Sequence, residues 1–346
     1  MLKKVVCLLP VLVLVFLISG CAFTPDGAST PEEIKIGDEV YSVELTELSI
    51  DSLNISLDKS QYSDLENLKH MKNLTKLELS NGNITSIHFL ENLTSLTELK
   101  MFHNEIQDIS PLKDLTNLTL LSLYLNEISD ISVLKGLTNL TSLSMSHNQI
   151  HDIGVLENLT NLTYLNLTGN PIGDISALKG LINLTRIAAE DAGLNDIYDL
   201  NGLVNLTYLR LNQNEISDIS ALKDLTNLTH LLLMENEIRD ISALRNLTKL
   251  TSLWLSSNQI SDISALKSLP NLEELRIDNN PINDIRVLRD LTKLTSLWLS
   301  SNQISDISVL KDLTNLDKLH LSNNSISEVQ LKELRLALPD CNIIVD

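Results

Sequence analysis

The sequence has few aromatic residues: they make up 3% of its 346 residues, whereas apolar residues make up 43%. A folded core must therefore consist almost entirely of aliphatic side chains. Basic residues are also outnumbered, with 26 Lys and Arg against 45 Asp and Glu and a formal net charge of −19. This excess of acid argues against nucleic acid as a partner and against a folded body that lies flat on anionic lipids.

Cysteine is scarce as well, with three residues at Cys7, Cys21 and Cys341. The first two belong to the N-terminal segment, which leaves Cys341 without an intrachain partner. This count excludes a disulfide framework and a thiolate metal site in the body of the chain. We therefore predict no cofactor and no metal, and a fold whose stability comes from packing.

The first 20 residues have the features of a secretory signal peptide. A short basic start is followed by an apolar run over 5–18 that is too short for a comfortable transmembrane helix. The ending Ile18-Ser19-Gly20-Cys21 resembles the bacterial lipobox, in which the cysteine thiol is lipidated and the chain is cut before it. A plain signal peptide with a chance cysteine is the alternative. We predict a signal peptide over 1–20 and a lipoprotein anchored through Cys21 in a bacterial cell envelope, exposed outside the cytoplasm.

Further along, the sequence repeats every 22 residues with the pattern L-x-x-L-x-L-x-x-N-x-I-x-x-I-x-x-L-x-x-L. The register holds without insertion from position 82 to Asn324, which gives twelve repeats. Ten carry Asn at the anchor position, and the exceptions are Gly82 and Ala192. The pattern matches the leucine-rich-repeat signature. Its L-x-L step predicts a short strand, and each buried leucine contributes about 1.5–3 kcal/mol.

Two polar columns have a structural interpretation. The anchor Asn is expected to satisfy backbone groups in the turn that leaves the strand. An acidic column lies four residues after the anchors: Asp108, Asp130, Asp152, Asp174, Asp196, Asp218, Asp240, Asp262, Asp284 and Asp306. One acid per repeat does not supply the converging oxygens of a calcium site, so we expect each Asp to cap a short helical turn. We interpret the many N-x-T sequons as by-products of the repeat.

The ends depart from the repeat. We predict a tether over 21–40, then an N-terminal cap and a long first repeat over 41–73, with a helix within 58–71. Regular repeats follow over 74–327. A cap helix and a last strand are expected over 328–346, because an open solenoid end exposes leucines and strand edges.

The unit Leu-Thr-Lys-Leu-Thr-Ser-Leu-Trp-Leu-Ser-Ser-Asn-Gln-Ile-Ser-Asp-Ile-Ser at 291–308 resembles the repeat of the internalin group of bacterial surface proteins. It is also similar to the repeat of the regulatory subunit of eukaryotic protein phosphatase 1. The resemblance covers about residues 45–346. It implies an α/β solenoid: a curved rod with parallel strands on the concave face, short 3₁₀ turns on the convex face and capped ends. Internalins grip partner proteins with the concave face. We see no C-terminal immunoglobulin-like module and no sorting motif, so adhesion or invasion is not carried over.

Side chains at the outward-facing strand positions do not pack in the core. They form three columns along the sheet. The central column lies between the two strand leucines: Glu78, Lys100, Ser122, Ser144, Asn166, Ala188, Arg210, Leu232, Trp254, Arg276, Trp298 and His320. The first column precedes the first strand leucine: Lys76, Glu98, Leu120, Ser142, Tyr164, Arg186, Tyr208, His230, Ser252, Glu274, Ser296 and Lys318. The third column follows the second strand leucine and includes Phe102, Tyr124 and Met234.

Six of the 12 aromatic residues lie in these columns, which hold about a tenth of the chain. Aromatic residues and arginine are the types that carry binding hot spots. We therefore predict a partner-binding face made of Phe102, Tyr124, Tyr164, Tyr208, Arg210, His230, Trp254, Arg276, Trp298 and His320. Because 247–264 and 291–308 are identical, duplication is the alternative origin of one tryptophan.

The sequence predicts a binding protein and not an enzyme, with a protein or peptide ligand on the concave face. An envelope spacer or assembly protein and a wall-glycan binder are the alternatives; an intracellular phosphatase regulator is opposed by residues 1–21. We find no catalytic Ser/His/Asp or Cys/His set and no phosphate loop. His103 and His147 lie two repeats apart, roughly 10 Å, too far to ligate one ion. The repeat at 187–193 is interpreted as degenerate, or alternatively as a kink or pocket.

Overall fold

The computed structural model describes residues 31–37, 39–51 and 62–345. The predicted signal peptide and Cys21 lie outside the described residues. Within the described part of the chain, no helix is both long and apolar enough to span a bilayer.

A single parallel sheet runs the length of the molecule, and its fourteen described strands follow chain order. Each strand pairs with its neighbours one repeat away, so that Leu253 lies beside Leu231 and Leu275. The strands are β3 (Glu47–Asp51), β4 (Lys76–Ser80), β5 (Glu98–Lys100), β6 (Leu120–Ser122), β7 (Ser142–Ser144), β8 (Tyr164–Asn166), β9 (Arg186–Ala188), β10 (Tyr208–Arg210), β11 (His230–Leu232), β12 (Ser252–Trp254), β13 (Glu274–Arg276), β14 (Ser296–Trp298), β15 (Lys318–His320) and β16 (Asn342–Ile344). The predicted solenoid architecture is confirmed.

The return path of each repeat contains a short 3₁₀ helix, as predicted. These helices are Tyr62–His70, His88–Leu90, Ser110–Leu112, Ser132–Gly136, Gly154–Asn158, Ser176–Leu178, Tyr198–Leu200, Ser220–Leu222, Ser242–Asn246, Ser264–Ser268, Arg286–Asp290 and Ser308–Asp312. Between sheet and 3₁₀ helices lies one continuous aliphatic core, in which Phe89 is the sole aromatic side chain among the described residues.

The anchor asparagines join neighbouring repeats. Asn126 accepts the Ile106 backbone N–H at 3.0 Å and donates to the carbonyls of Met101 at 2.9 Å and Leu123 at 3.0 Å. Two of these three partners belong to the preceding repeat. The ladder therefore satisfies buried backbone groups within its own turn, as predicted, and also fixes the spacing of successive turns.

Capping by the acidic column is confirmed in all ten repeats. Each Asp accepts the backbone N–H two residues later, at 2.7–3.0 Å. The Asp stands two residues before the first residue of the 3₁₀ helix, so the geometry is an Asx turn that satisfies the first free N–H. The bond from the Ser110 N–H is the main reason that the pKa of Asp108 is lowered.

The sequon repeats have a structural role that the sequence interpretation missed. Asn139 donates its side-chain amide to the Thr116 carbonyl at 2.9 Å. Two residues later, the Thr141 hydroxyl donates to the Thr119 carbonyl at 3.1 Å. Both bonds recur from repeat to repeat on the chain that enters each strand. The sequons therefore follow from the repeat itself, in which their Asn and Thr side chains form a second polar ladder.

The N-terminal region differs from the expected tether over 21–40. Glu33–Ile36 (β1) pairs antiparallel with Glu39–Ser42 (β2). Ile34 and Ile36 are buried against the core, which explains why this stretch is ordered. The predicted helix within 58–71 is 3₁₀ over its described part and not α-helical.

The C-terminal end is closed by Glu328–Ala337 (α1) and by β16. The Ser327 side chain accepts the Gln330 N–H at the start of the helix. Leu331 and Leu334 are buried, which places the apolar face of α1 over the last repeat.

The repeat without an anchor Asn keeps its place in the sheet, because β9 pairs with both β8 and β10. The Ile172 N–H lacks an anchor amide from position 192 and donates instead to the Asn170 carbonyl at 2.8 Å. Ala189 and Ala192 are both buried. The lost anchor thus changes local hydrogen bonding without interrupting the strands.

Candidate binding face

All ten predicted face residues lie on the exposed side of the parallel sheet. Eight are on strands β8 and β10–β15, while Phe102 and Tyr124 stand two residues past the ends of β5 and β6. Among the ten, His230 is exposed and the other nine are half-buried. At all of these nine except Tyr164, ring, cation–π or ion-pair contacts with neighbouring side chains accompany the partial burial.

Four consecutive members of the central column form an aromatic–arginine stack: Trp254, Arg276, Trp298 and His320. Leu232 precedes them in the column, is paired with Trp254 in the sheet register and is buried. The Arg276 guanidinium lies between the two indoles, 3.9 Å from the ring centroid of Trp254 and 4.3 Å from that of Trp298. The imidazole of His320 stacks on the far side of Trp298, with ring centroids 5.3 Å apart and planes 20° from parallel.

The stack runs along the rod because its members come from adjacent strands. Arg276 and His320 cover the two faces of the Trp298 ring, so this ring presents its edge to solvent. Each cation–π contact contributes about 0.5–1 kcal/mol at an exposed site and more when desolvated. The arrangement therefore holds large side chains in a defined conformation before any ligand binds.

Polar contacts with Glu274, on the same strand, hold the Arg276 guanidinium in place. Its Nε donates to Glu274 Oε1 at 2.9 Å, and the Ser252 hydroxyl donates to Glu274 Oε2 at 3.0 Å. The carboxylate of Glu274 thus neutralises the guanidinium and orients its plane against the indoles. Burial is the main cause that lowers the pKa of His320 from 6.5, so the imidazole is neutral near pH 7.

A second group lies at the middle of the rod. The Arg186 guanidinium is 5.2 Å from the centroid of the Tyr208 ring, and the His230 ring is 5.9 Å from the same ring. Arg210 forms an ion pair with Glu190. Arg186 and Glu190 were absent from the predicted face, although both stand in its columns.

The third group is apolar and nearer the N-terminus. The rings of Phe102 and Tyr124 stack with centroids 4.6 Å apart and planes within 7°. Leu125 lies beside them, 42% exposed and with a backbone φ of 57°. This left-handed conformation is costly for a residue with a side chain. Leu125 was missed by the sequence analysis, and its signal was a bulky apolar residue directly before an anchor Asn.

Tyr164 joins none of the three groups, since no ring or cation contact to it occurs in the described chain. Strands β3–β5 form an ion-paired end of the same face. There Lys76 lies 3.0 Å from Glu47 and 3.7 Å from Glu98, and Lys100 lies 3.3 Å from Glu78.

The histidines outside the face do not come together. His103 Nδ1 lies 2.6 Å from Asn81 Oδ1, while the His147 ring lies against Gly169, where a Cβ would approach within 2.5 Å. Over the described residues, no group of three or more His, Cys, Asp or Glu side chains is placed to hold a metal ion.

Comparison with known proteins places the chain in a family. The sequence matches the family described as "Leucine Rich repeats (2 copies)" in segments that together cover 72–136, 138–180 and 204–335. The internalin InlF of Listeria monocytogenes is 34% identical, and the alignment covers 89% of this chain and 90% of that chain with a TM-score of 0.80. No curated protein matches significantly.

Two further structures share the fold at lower identity. A leucine-rich-repeat protein of Leptospira interrogans is 23% identical over 87% of this chain and 96% of that chain, with a TM-score of 0.63. The plant peptide hormone receptor RGFR1, solved in complex with RGF2, is 22% identical over 81% of this chain and 52% of that chain, with a TM-score of 0.66. The repeats and the InlF match together show that the chain belongs to the leucine-rich-repeat family and is an internalin-like bacterial protein.

Proposed function

We propose that the chain is a binding protein, tethered to a bacterial surface through lipid on Cys21, whose concave sheet face holds a protein or peptide partner. The observation that carries the proposal is the aromatic–arginine stack. A protein whose described core buries a single aromatic ring places both tryptophans on its open face. Clustered, partly buried Trp and Arg side chains are the usual anchors of a protein interface.

The geometry of the stack favours a polypeptide over a wall glycan. A sugar packs against an open aromatic ring face, but both faces of Trp298 are covered by Arg276 and His320. The exposed ring edges suit close packing with side chains and backbone groups of a polypeptide. The relatives agree in kind, since the RGFR1 structure contains a bound peptide hormone.

The test is capture of envelope proteins by the full chain, followed by affinity measurement on the partner recovered. Replacing Trp254 and Trp298 together by Ala is expected to weaken binding by at least about 2 kcal/mol, or about 30-fold. Tyr198→Ala is the matched control, because Tyr198 is 63% exposed in a 3₁₀ helix away from the sheet. Equal binding by the double variant and the control would place the partner elsewhere.

The tether requires a separate experiment. Cys21→Ala is expected to release the protein from membranes, because the thiol is the proposed lipidation point. Incorporation of labelled palmitate should be lost in parallel. A variant that remains membrane-bound and labelled would rule out Cys21 as the anchor.

An assembly role is the second candidate, and the identical segments 247–264 and 291–308 favour it. Such a role predicts self-association of the detergent-solubilised chain at micromolar concentration. A strict monomer by light scattering that captures a partner through the tryptophans would support binding instead.

A further inference from the structure

Four carboxylates border the aromatic–arginine stack: Glu235, Glu237, Glu273 and Asp317. All four are exposed, and none forms a salt bridge in the described part of the chain. Glu235 and Glu237 follow β11 on one side of the stack. Glu273 and Asp317 directly precede β13 and β15 on the other side. The stack therefore lies between two acidic edges.

Glu273 and Asp317 break a structural column. Elsewhere this position is Thr, and its hydroxyl donates to the carbonyl one repeat earlier: Thr75, Thr97, Thr119, Thr141, Thr163, Thr185, Thr207, Thr229, Thr251 and Thr295. A carboxylate cannot donate this bond. The two exceptions thus give up a scaffold interaction only beside the stack, which points to a requirement outside the scaffold.

The cations near the stack offset these charges only in part, since four of them (Arg276, Lys249, Lys293 and Lys318) stand against Glu274, Asp278 and the four border carboxylates. Arg276 is already neutralised by Glu274. Lys249 and Lys293 donate to the Asn227 and Asn271 side chains at 2.7 Å. Lys318 is exposed, and His320 has a lowered pKa and is neutral near pH 7. Asp278, which accepts from the Ser256 hydroxyl, adds a further negative charge.

We infer that the partner segment held by the aromatic–arginine stack is basic, with Lys or Arg side chains that reach the four border carboxylates. This inference rests on the proposed function of the same face. The aliphatic stem of a partner Lys or Arg packs along the apolar stack while its charged end extends to the edge. From Leu232 on β11 to His320 on β15 the central column spans four strand spacings, about 19 Å, which about six extended residues cover.

The experiment pans a display library of random peptides, about 12 residues long, on the immobilised full chain. Selected peptides are then measured against three variants. One variant is Trp254→Ala with Trp298→Ala. The second neutralises the border carboxylates with Glu235→Gln, Glu237→Gln, Glu273→Gln and Asp317→Asn. The third is a control of equal net charge, made of Glu91→Gln, Glu105→Gln, Glu127→Gln and Glu157→Gln.

Lys- and Arg-rich peptides are expected, with binding at least about tenfold weaker to the border variant and nearly unchanged on the control variant. Raising the salt from about 0.01 M to about 0.15 M shortens the Debye length from about 30 Å to about 8 Å, and should weaken binding to the wild type more than to the border variant. Acidic or neutral peptides that depend on the tryptophans would overturn this inference and leave the proposed function intact. Recovery of no tryptophan-dependent peptide would count against both.

Discussion

The two ends of the sheet face use the same scaffold for different surfaces. At the ion-paired end, Lys76 and Lys100 stand among the carboxylates of Glu47, Glu78 and Glu98 and pair with them. At the other end, the aromatic–arginine stack is neutral along its centre and bordered by carboxylates that have no ion-pair partner in the described chain. One surface pairs its own charges, whereas the border carboxylates of the other form no salt bridge in the described chain.

The difference shows which residues of such a protein determine the fold and which determine the surface. Anchor asparagines, core leucines and capping aspartates recur at both ends because each repeat must bury the same backbone. The face columns have no such duty, so each end is set by a few side chains. The fold alone therefore does not decide what either surface does.

The largest expected effect tests whether the scaffold is equal at both ends. Asn104→Ala and Asn280→Ala should each lower the free energy of unfolding by about 3 kcal/mol, because several buried backbone groups lose their partners. The Asn104 oxygen accepts from both Gly82 and Ile84, while the Asn280 oxygen accepts from Ile260. Denaturant unfolding followed by circular dichroism provides the measurement, and a slightly larger loss is expected for Asn104.

Ala192→Asn is the matched control, because it adds an anchor amide where the chain lacks one. It should stabilise the protein or leave it unchanged. A loss confined to one of the two Asn variants would break the comparison, since the ends would then differ in their scaffold and not only in their surface.

A smaller effect is expected from conservative exchanges at two cations of the central column, one at each end of the face. Arg276→Lys should cost about 1 kcal/mol and shift the tryptophan fluorescence to longer wavelength, because a compact ammonium cannot lie flat between two indoles. Lys100→Arg should change stability by less than about 0.5 kcal/mol, since its pair with Glu78 is partly exposed to solvent and Arg keeps the charge. Equal stability changes in the two variants would show that the position of Arg276 between the two indoles adds nothing beyond its charge.

The sequence predicts the scaffold well because the scaffold is periodic. One period identifies the strands, the anchor Asn and the capping Asp, and the ten Asp–N–H bonds follow from it. Where the period ends, prediction fails: β1 lies inside the expected tether. Residues 33–36 alternate polar and apolar side chains, but four residues are too short a pattern to predict that Ile34 and Ile36 are buried. The second polar ladder was missed because its N-x-T pattern was considered only as a possible glycosylation signal.

The binding face is only partly predictable for a related reason. Column membership follows from the period, so Trp254, Arg276 and Trp298 are found as neighbours. Which rings stack, and through which face, depends on rotamers that neighbouring side chains select together. Tyr164 lies in one of the columns but joins no group of side chains. Leu125 lies outside the three columns and stands beside the Phe102–Tyr124 pair.

The smallest expected effect is a pH dependence of stability at the end of the face that carries the stack. Burial beside Trp298 lowers the pKa of His320 below 6.5. Because the unfolded chain binds this proton more readily, the contribution of His320 to stability is present above pH 6.5 and is lost as the pH falls through the folded-state pKa. Trp298→Ala should raise that pKa towards 6.5 in an NMR titration, and His320→Gln should reduce the loss of stability between about pH 7 and pH 5. An unchanged titration in Trp298→Ala would mean that the indole does not shield the imidazole, and the stack would then end at Trp298.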